Sequence, residues 1–412
     1  MHHFTYRDGV LNAEELPLDR IAEEYGTPTY VYSKATLERH VNALDSAFDE
    51  IEHLTCFSVK ANSSGAILKL FGEMGIGADI VSGGELFRCL RAGIPAEKIV
   101  YSGVGKSADE IRYALDSGIL CFNVESHSEL LVIDRIAGEI GVQAPVAFRI
   151  NPNVDPKTHP YISTGLSKNK FGIPHEEALD LYREAMSSAN IDVMGIDMHI
   201  GSQLTDVKPY REAAERLRDL IVSIRNIGVN LRHVDIGGGL GIRYDAEEPP
   251  APSAWAEMVI PVFKDLGIRL VVEPGRSIVG NAGVLLTRAL YVKHNGPKTF
   301  VVVDAGMNDL SRPTLYGSHH DILPVDETSA GTVEVDVVGP ICESGDFLAK
   351  DRAMPLPKEG DLLAVMSAGA YGMTMASNYN SRPRGAEVMV SGDTAKLITT
   401  RETFEDLVGR EI

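Results

Sequence analysis

The sequence predicts an α/β protein in two parts: a closed, TIM-like (β/α)8 barrel and an antiparallel β-sandwich or β-barrel domain. Two patterns carry that reading. From Lys34 onward, amphipathic stretches such as "SKATLERHVNALDSAFDEI" alternate with short β-branched runs that end in Gly, Ser, Asn or charged residues. After Gly275 the helical period gives way to alternation and turn dipeptides, as in "TVEVDVVGPICESGD" and "AEVMVSGDTAKLITTR".

Eight strand candidates follow one another: "CFSVK", "ADIVS", "IVYSG", "CFNVES", "VAFRIN", "GIDMHIGS", "HVDIGGG" and "LVVEPG". That number in succession points to a closed barrel, with an open doubly wound sheet as the alternative. The intervals hold good helices, for example "KPYREAAERLRDLIVSIRNIG", with Pro near its start and Gly past its end. The run "PTYVYS", Pro28 to Ser33, precedes the eight and is expected to join the β domain. The expected domains are 34–277 for the barrel and 1–33 with 278–412 for a discontinuous β domain. "EEPPAPS", Glu247 to Ser253, reads as a surface insertion.

At 412 residues the chain has ample material for a core, and 44% hydrophobic with 24% charged residues is globular composition. The 39 basic and 58 acidic residues give a formal charge of −19, which disfavours nucleic acid and anionic membrane surfaces as partners. Small-molecule partners are expected instead. Cys56, Cys89, Cys121 and Cys342 are scattered without a CxxC pair, which suits a reducing, cytoplasmic compartment. No basic start precedes an apolar run, and no segment approaches the roughly 20 apolar residues of a membrane span.

Polar residues at barrel strand ends converge on one mouth and read as site residues. Lys60 closes the first strand, His199, Ser202 and Gln203 the sixth, "GGGLG" (Gly237 to Gly241) the seventh, and "EPGR" (Glu273 to Arg276) the eighth. A strand-end lysine either snorkels to solvent or is held as an amine that reacts with a carbonyl, and taken alone the first reading is the commoner. Glycines exposing backbone N–H groups after the last two strands suit a phosphate. A phosphate opposite an amine suggests pyridoxal phosphate, with Glu273 as acidic partner of the pyridine nitrogen and His199 against the ring. Against this, His199 could be satisfied by a neighbour and Glu273 could pair with Arg276. His319 and His320 lack further ligand spacing, and no metal site is expected.

The ordered series "FSVKANSS", "GADIVSGGEL", "HPYISTGLSKNKFGI", "HIGSQ", "DIGGGLG", "EPGRSIV", "GMNDLSRPTLY", "CESGD" and "SAGAYGMTMASNYNSRPR" resembles the diaminopimelate decarboxylase family of alanine racemase-like, fold-type III pyridoxal phosphate enzymes. The resemblance spans nearly the whole chain. It implies decarboxylation of meso-2,6-diaminopimelate to L-lysine and CO2, the last step of lysine biosynthesis, by a homodimer with shared active sites. It implies Lys60 as the Schiff-base lysine. It places Ser202, Gly238, Gly239, Glu273, Gly275 and Arg276 in cofactor-binding motifs, with Tyr371 also touching the cofactor. Arg276, Arg312 and Tyr316 are implied as a clamp on the distal carboxylate, Glu343 as the acid at the distal amine, and Cys342 as the partner subunit's thiol near the reacting carbon. The loop His159 to Gly165 reads as a lid over the site. The rivals are a decarboxylase of ornithine, arginine or lysine, a racemase, and a non-catalytic regulator.

Overall fold

The computed structural model describes residues 2–154 and 170–412; the lid expected at 159–165 lies outside the described residues. The chain forms two compact units, one of Val41–Ile242 with Glu248–Ser277, the other of Met1–His40, Arg243–Glu247 and Ile278–Ile412.

The first unit holds all eight expected strands: β1 (His53–Ser58), β2 (Gly77–Ile80), β3 (Ile99–Tyr101), β4 (Cys121–Val124), β5 (Ala144–Asn151), β6 (Ile191–Asp197), β7 (His233–Asp235) and β8 (Arg269–Val272). Each pairs in parallel with the next, and β8 pairs with β1, which closes the barrel. The open-sheet alternative is thereby excluded. Leu54, Cys56, Val100, Cys121, Ala147 and Val271 cluster together as an apolar layer. Phe57, next to Cys56, packs edge-on against Phe71 of the following helix Gly65–Glu73 at 4.7 Å. Alternation along β1 thus sends one residue into the barrel and the next against a helix. Strand β1 ends at Ser58, two residues before the expected Lys60, which sits on the 3-10 turn Val59–Ala61.

The helices start where local chemistry dictates. Ser82, Ser107 and Ser126 each accept a hydrogen bond from the N–H three residues on, and Ser107 with Glu110 completes a capping box. The helix Lys208–Asn226 buries Tyr210, Ala213, Ala214, Leu217, Leu220, Ile221 and Ile224, one stripe at helical spacing. Pro252, in the expected insertion, opens the helix Pro252–Phe263. Its Trp255 is fully buried and meets Phe48 at 5.3 Å and Tyr210 at 5.1 Å. Truncating such an aromatic to Ala costs about 3–5 kcal/mol.

In the second unit the main sheet runs Phe347–Pro355, Thr332–Val338, Lys298–Val303, Gly283–Asn295, Thr29–Ser33, Ala386–Ser391, Thr394–Thr399. Thr29–Ser33 pairs with Gly283–Asn295 and Ala386–Ser391, so "PTYVYS" joins this sheet. The sheet is mostly antiparallel, but Thr29–Ser33 with Ala386–Ser391, and Lys298–Val303 with Thr332–Val338, pair in parallel. Long connections between those partners release them from the antiparallel direction that a tight turn imposes. A three-stranded N-terminal sheet, Phe4–Arg7, Val10–Ala13 and Leu16–Pro17, was not expected from the sequence. No described helix is long and apolar enough to cross a membrane.

Candidate active site

The C-terminal ends of the barrel strands carry a dense polar set. Lys60 Nζ donates to Asp79 Oδ2 at 2.7 Å; the lysine side chain is 39% exposed and the aspartate fully buried. Ser58 Oγ donates to the same oxygen at 2.8 Å. Lys60 is therefore tethered to Asp79 at the mouth, with its side chain partly exposed.

Glu273 follows β8. Its Oε1 accepts from Ser102 Oγ at 3.3 Å and Asn123 Nδ2 at 3.4 Å. Oxygens of Glu273, Asp197 and Asp235 lie within 4.8 Å of one another, a spacing a cation could bridge. Burial is the main cause that pushes all three carboxyls toward the protonated form: Asp235 up to about 7, with the Asp79 charge adding to it against the bond from the Gly237 N–H, and Asp197 and Glu273 in the same direction, each with the Asp235 charge as the next cause. Shared protons meet the same electrostatic demand. Asp197 is also 3.9 Å from Arg149 Nε, whose Nη1 pairs with Glu125 at 2.7 Å.

The glycines serve close approach. A Cβ on Gly238 would lie 1.9 Å from Glu273 O, and one on Gly239, with φ +100°, 2.1 Å from Gly201 O. Tyr210, braced by Trp255, donates its OH to Gly238 O at 3.0 Å. The Gly238 N–H donates to His199 Nδ1 at 3.2 Å, which leaves the ring proton of neutral His199 on Nε2. Burial, then the positive charges of Arg149 and Lys60, hold that imidazole well below its usual pKa. Gln203 and Ile242 exchange hydrogen bonds, Nε2 to Ile242 O at 2.6 Å and Ile242 N–H to Oε1 at 3.1 Å. Gln203 thus pins the backbone after the glycines. Arg276, buried at the start of the turn Arg276–Val279, donates to Ser202 Oγ at 3.2 Å. Gly275 lies against Ser58 and Ala61, where a Cβ would come within 3.1 Å.

Lys60, His199, Ser202, Gly238, Gly239, Glu273, Gly275 and Arg276 therefore all belong to the barrel unit, while Arg312, Tyr316, Cys342, Glu343 and Tyr371 belong to the other. Arg312 and Tyr316 open and close one short helix, Arg312–Tyr316. Cys342 and Glu343 are exposed on a loop held by "SNYNS": Cys342 N–H donates to Asn380 Oδ1 and Tyr379 OH to Glu343 Oε2, both at 2.7 Å. Asn380 and Ser381 hold that grip in left-handed backbone, and Tyr371 is left-handed as well, at φ 55°. Cys56 and Cys121 are buried, and burial pushes both thiols up and out of reactivity.

The sequence reading missed Asp79, Asp197, Asp235, Arg149, Ser58, Ser102 and Asn123. The signal was present in "GADIV", "GIDMH" and "HVDIG", each an acid inside an apolar strand, and the logic applied to Lys60 applies equally to them.

Residues 34–280 match the family model of the pyridoxal-dependent decarboxylase, pyridoxal binding domain. The chain is 51% identical over 409 residues to a diaminopimelate decarboxylase of Vibrio cholerae, covering 99% of this chain and 98% of the relative. It is 49% identical to one of Aquifex aeolicus, covering 98% and 96%. Among solved structures, diaminopimelate decarboxylase of Helicobacter pylori complexed with L-lysine superposes with TM-score 0.93 at 43% identity, covering 96% and 99%. A lysine/ornithine decarboxylase of Vibrio vulnificus, at TM-score 0.81 and 21% identity over 91% of this chain and 97% of that one, shares the fold. With full-length identity near half and the matching domain model, the chain belongs to the diaminopimelate decarboxylase family of pyridoxal-dependent decarboxylases.

Proposed function

We propose that the chain removes one carboxylate from meso-2,6-diaminopimelate, giving L-lysine and CO2 as the last step of lysine biosynthesis, and that Lys60 is its central catalytic residue. The observation that carries this reading is the grouping of an accessible amine, a buried acid and a glycine cradle at one barrel mouth.

These residues fit pyridoxal phosphate. The glycine-rich backbone through Gly238 and Gly239, packed too closely for any side chain, suits a phosphate, with Ser202, Gly275 and Arg276 beside it and the Gly238 N–H holding His199 Nδ1 in place. Glu273, held in place by Ser102 and Asn123, is the acid for the pyridine nitrogen. The bound cofactor supplies an electron sink for the pair left at the α-carbon when CO2 departs.

The chain's own groups do the rest. Lys60 Nζ would hold the cofactor through its amine and serve release of the product, with Asp79 as the carboxylate that steadies it. His199, kept neutral, offers a flat uncharged ring to the cofactor. Arg312, Tyr316 and Arg276 take the distal carboxylate, Glu343 the distal amine, and Tyr371 touches both cofactor and substrate. Cys342, or a water it positions, returns a proton to the α-carbon. The resemblance supports a homodimer in which Cys342 and Glu343 come from the partner, and a cytoplasmic setting suits a biosynthetic enzyme with free thiols.

Arg312 and Tyr316 argue against an ornithine, arginine or lysine decarboxylase, because a guanidinium set to meet a carboxylate would instead face the like charge of an ammonium at the distal end of such a substrate. A racemase needs no distal clamp, and a non-catalytic regulator needs neither Lys60 nor Cys342. The deciding experiment mixes purified protein and pyridoxal phosphate separately with diaminopimelate, ornithine, lysine and arginine and measures CO2. Release from diaminopimelate alone is expected. Comparable release from lysine would overturn the assignment.

A further inference from the structure

We propose that His320 is a positioning residue for substrate recognition: it fixes the direction in which Arg312 presents its guanidinium. The inference rests on reading Arg312 as the distal-carboxylate clamp.

The helix carrying Arg312 is only five residues long, and an arginine side chain must lose its rotamer freedom before it can meet a carboxylate in one geometry. Arg312 is nonetheless buried, at 5% exposure. Its Nη1 donates to His320 Nε2 at 2.8 Å, its Nη2 to Ser318 Oγ at 3.3 Å, and its guanidinium lies over the Tyr244 ring at 4.5 Å. These three partners are neutral and fix the direction of the guanidinium.

His320 is built to serve as the acceptor. It is fully buried, and its Nδ1 lies 2.8 Å from Met366 O. A carbonyl only accepts and a guanidinium only donates, so Nδ1 carries the proton and Nε2 faces Arg312 with a lone pair. Arg352 donates to His320 O at 2.8 Å, and Tyr244 packs edge-on against the imidazole at 5.3 Å. The ring is therefore anchored at its backbone, at Nδ1 and on one face before it meets Arg312. Its sequence neighbour His319 instead meets Asp321 Oδ1 at 3.0 Å.

The two ring nitrogens can be replaced separately. In His320→Asn the side-chain amide reaches the Nδ1 position and can keep the bond to Met366 O, but it falls short of Arg312. In His320→Gln the amide oxygen reaches the Nε2 position. Both are compared with Arg312→Ala as full-length holoenzymes, by kcat and KM for diaminopimelate, cofactor absorbance and thermal unfolding. We expect His320→Asn to raise KM about tenfold or more, with kcat moved far less and the cofactor spectrum unchanged, and His320→Gln to restore KM to within about threefold of wild type. A raised KM for Arg312→Ala beside a wild-type KM for His320→Asn would overturn the inference and leave the clamp standing. So would equal KM values for the Asn and Gln variants. An unchanged KM for Arg312→Ala would bring down the clamp itself. If His320→Asn does not fold, His320→Gln decides alone: a KM as high as that of Arg312→Ala refutes the positioning role, and a near-normal KM supports it.

Discussion

Lys60 Nζ and Asp79 Oδ2 lie 2.7 Å apart, with the aspartate wholly buried and the same oxygen also accepting from Ser58 Oγ. The pair joins the first two strands of the barrel at the mouth, and Asp79 is a partner that the sequence reading did not name. Asp79→Asn keeps the shape but removes the charge that steadies the ammonium. Since Lys60 is 39% exposed, solvent screens part of the loss, and kcat should fall about ten- to a hundredfold while cofactor content stays at wild-type level. Wild-type turnover in this variant, or loss of cofactor, would remove Asp79 from the account.

The buried acids set a pH dependence of stability. Carboxyls titrate near 4 when unfolded, whereas burial pushes Asp235 up to about 7 in the fold. The unfolded chain therefore loses its proton first. The stabilisation is complete below about pH 4 and is lost as pH rises through about 7. Asp235→Asn removes the titration yet keeps an oxygen for the Gly237 N–H, now 2.8 Å from Oδ1. Its Tm should decline less than that of wild type between about pH 5 and 8. Parallel Tm curves would show that Asp235 does not carry the effect.

A shared site can be read from mixing. Lys60→Ala and Cys342→Ala, each nearly inactive, are unfolded and reassembled together in equal amounts. Random pairing makes roughly half the dimers hybrid, each with one intact and one doubly altered site, so activity should recover to about a quarter of wild type. No recovery above the parents, with hybrids verified by mass, would place both residues in one chain's site.

How much the sequence disclosed depends on where the physics was local. The eight strands and their helices were legible because caps, glycines and hydrophobic period are encoded within a few residues, as at Ser107 and Glu110. Lys60 and Glu273 stood out because charge at the end of an apolar run asks for a reason. Asp197 and Asp235 did not. Both faces of a parallel barrel strand are buried, so alternation could not say which residues point inward, and only the side-by-side pairing of β6 with β7 and of β7 with β8 brings the acids together. His320 was hidden for the same reason, since Met366, which anchors its ring, is 46 positions away. The parallel pairs of the second sheet likewise depend on long connections that carry no local signal.

The central claim is that Lys60 carries the cofactor, and borohydride reduction of the holoenzyme tests it most directly. Reduction makes the covalent link between amine and cofactor permanent, and peptide mapping then locates it. The account predicts a single modified peptide containing Lys60, and none in Lys60→Ala, which should still hold pyridoxal phosphate through the phosphate contacts alone. A reduced adduct on any other lysine, or no adduct at all in yellow wild-type protein, would contradict it.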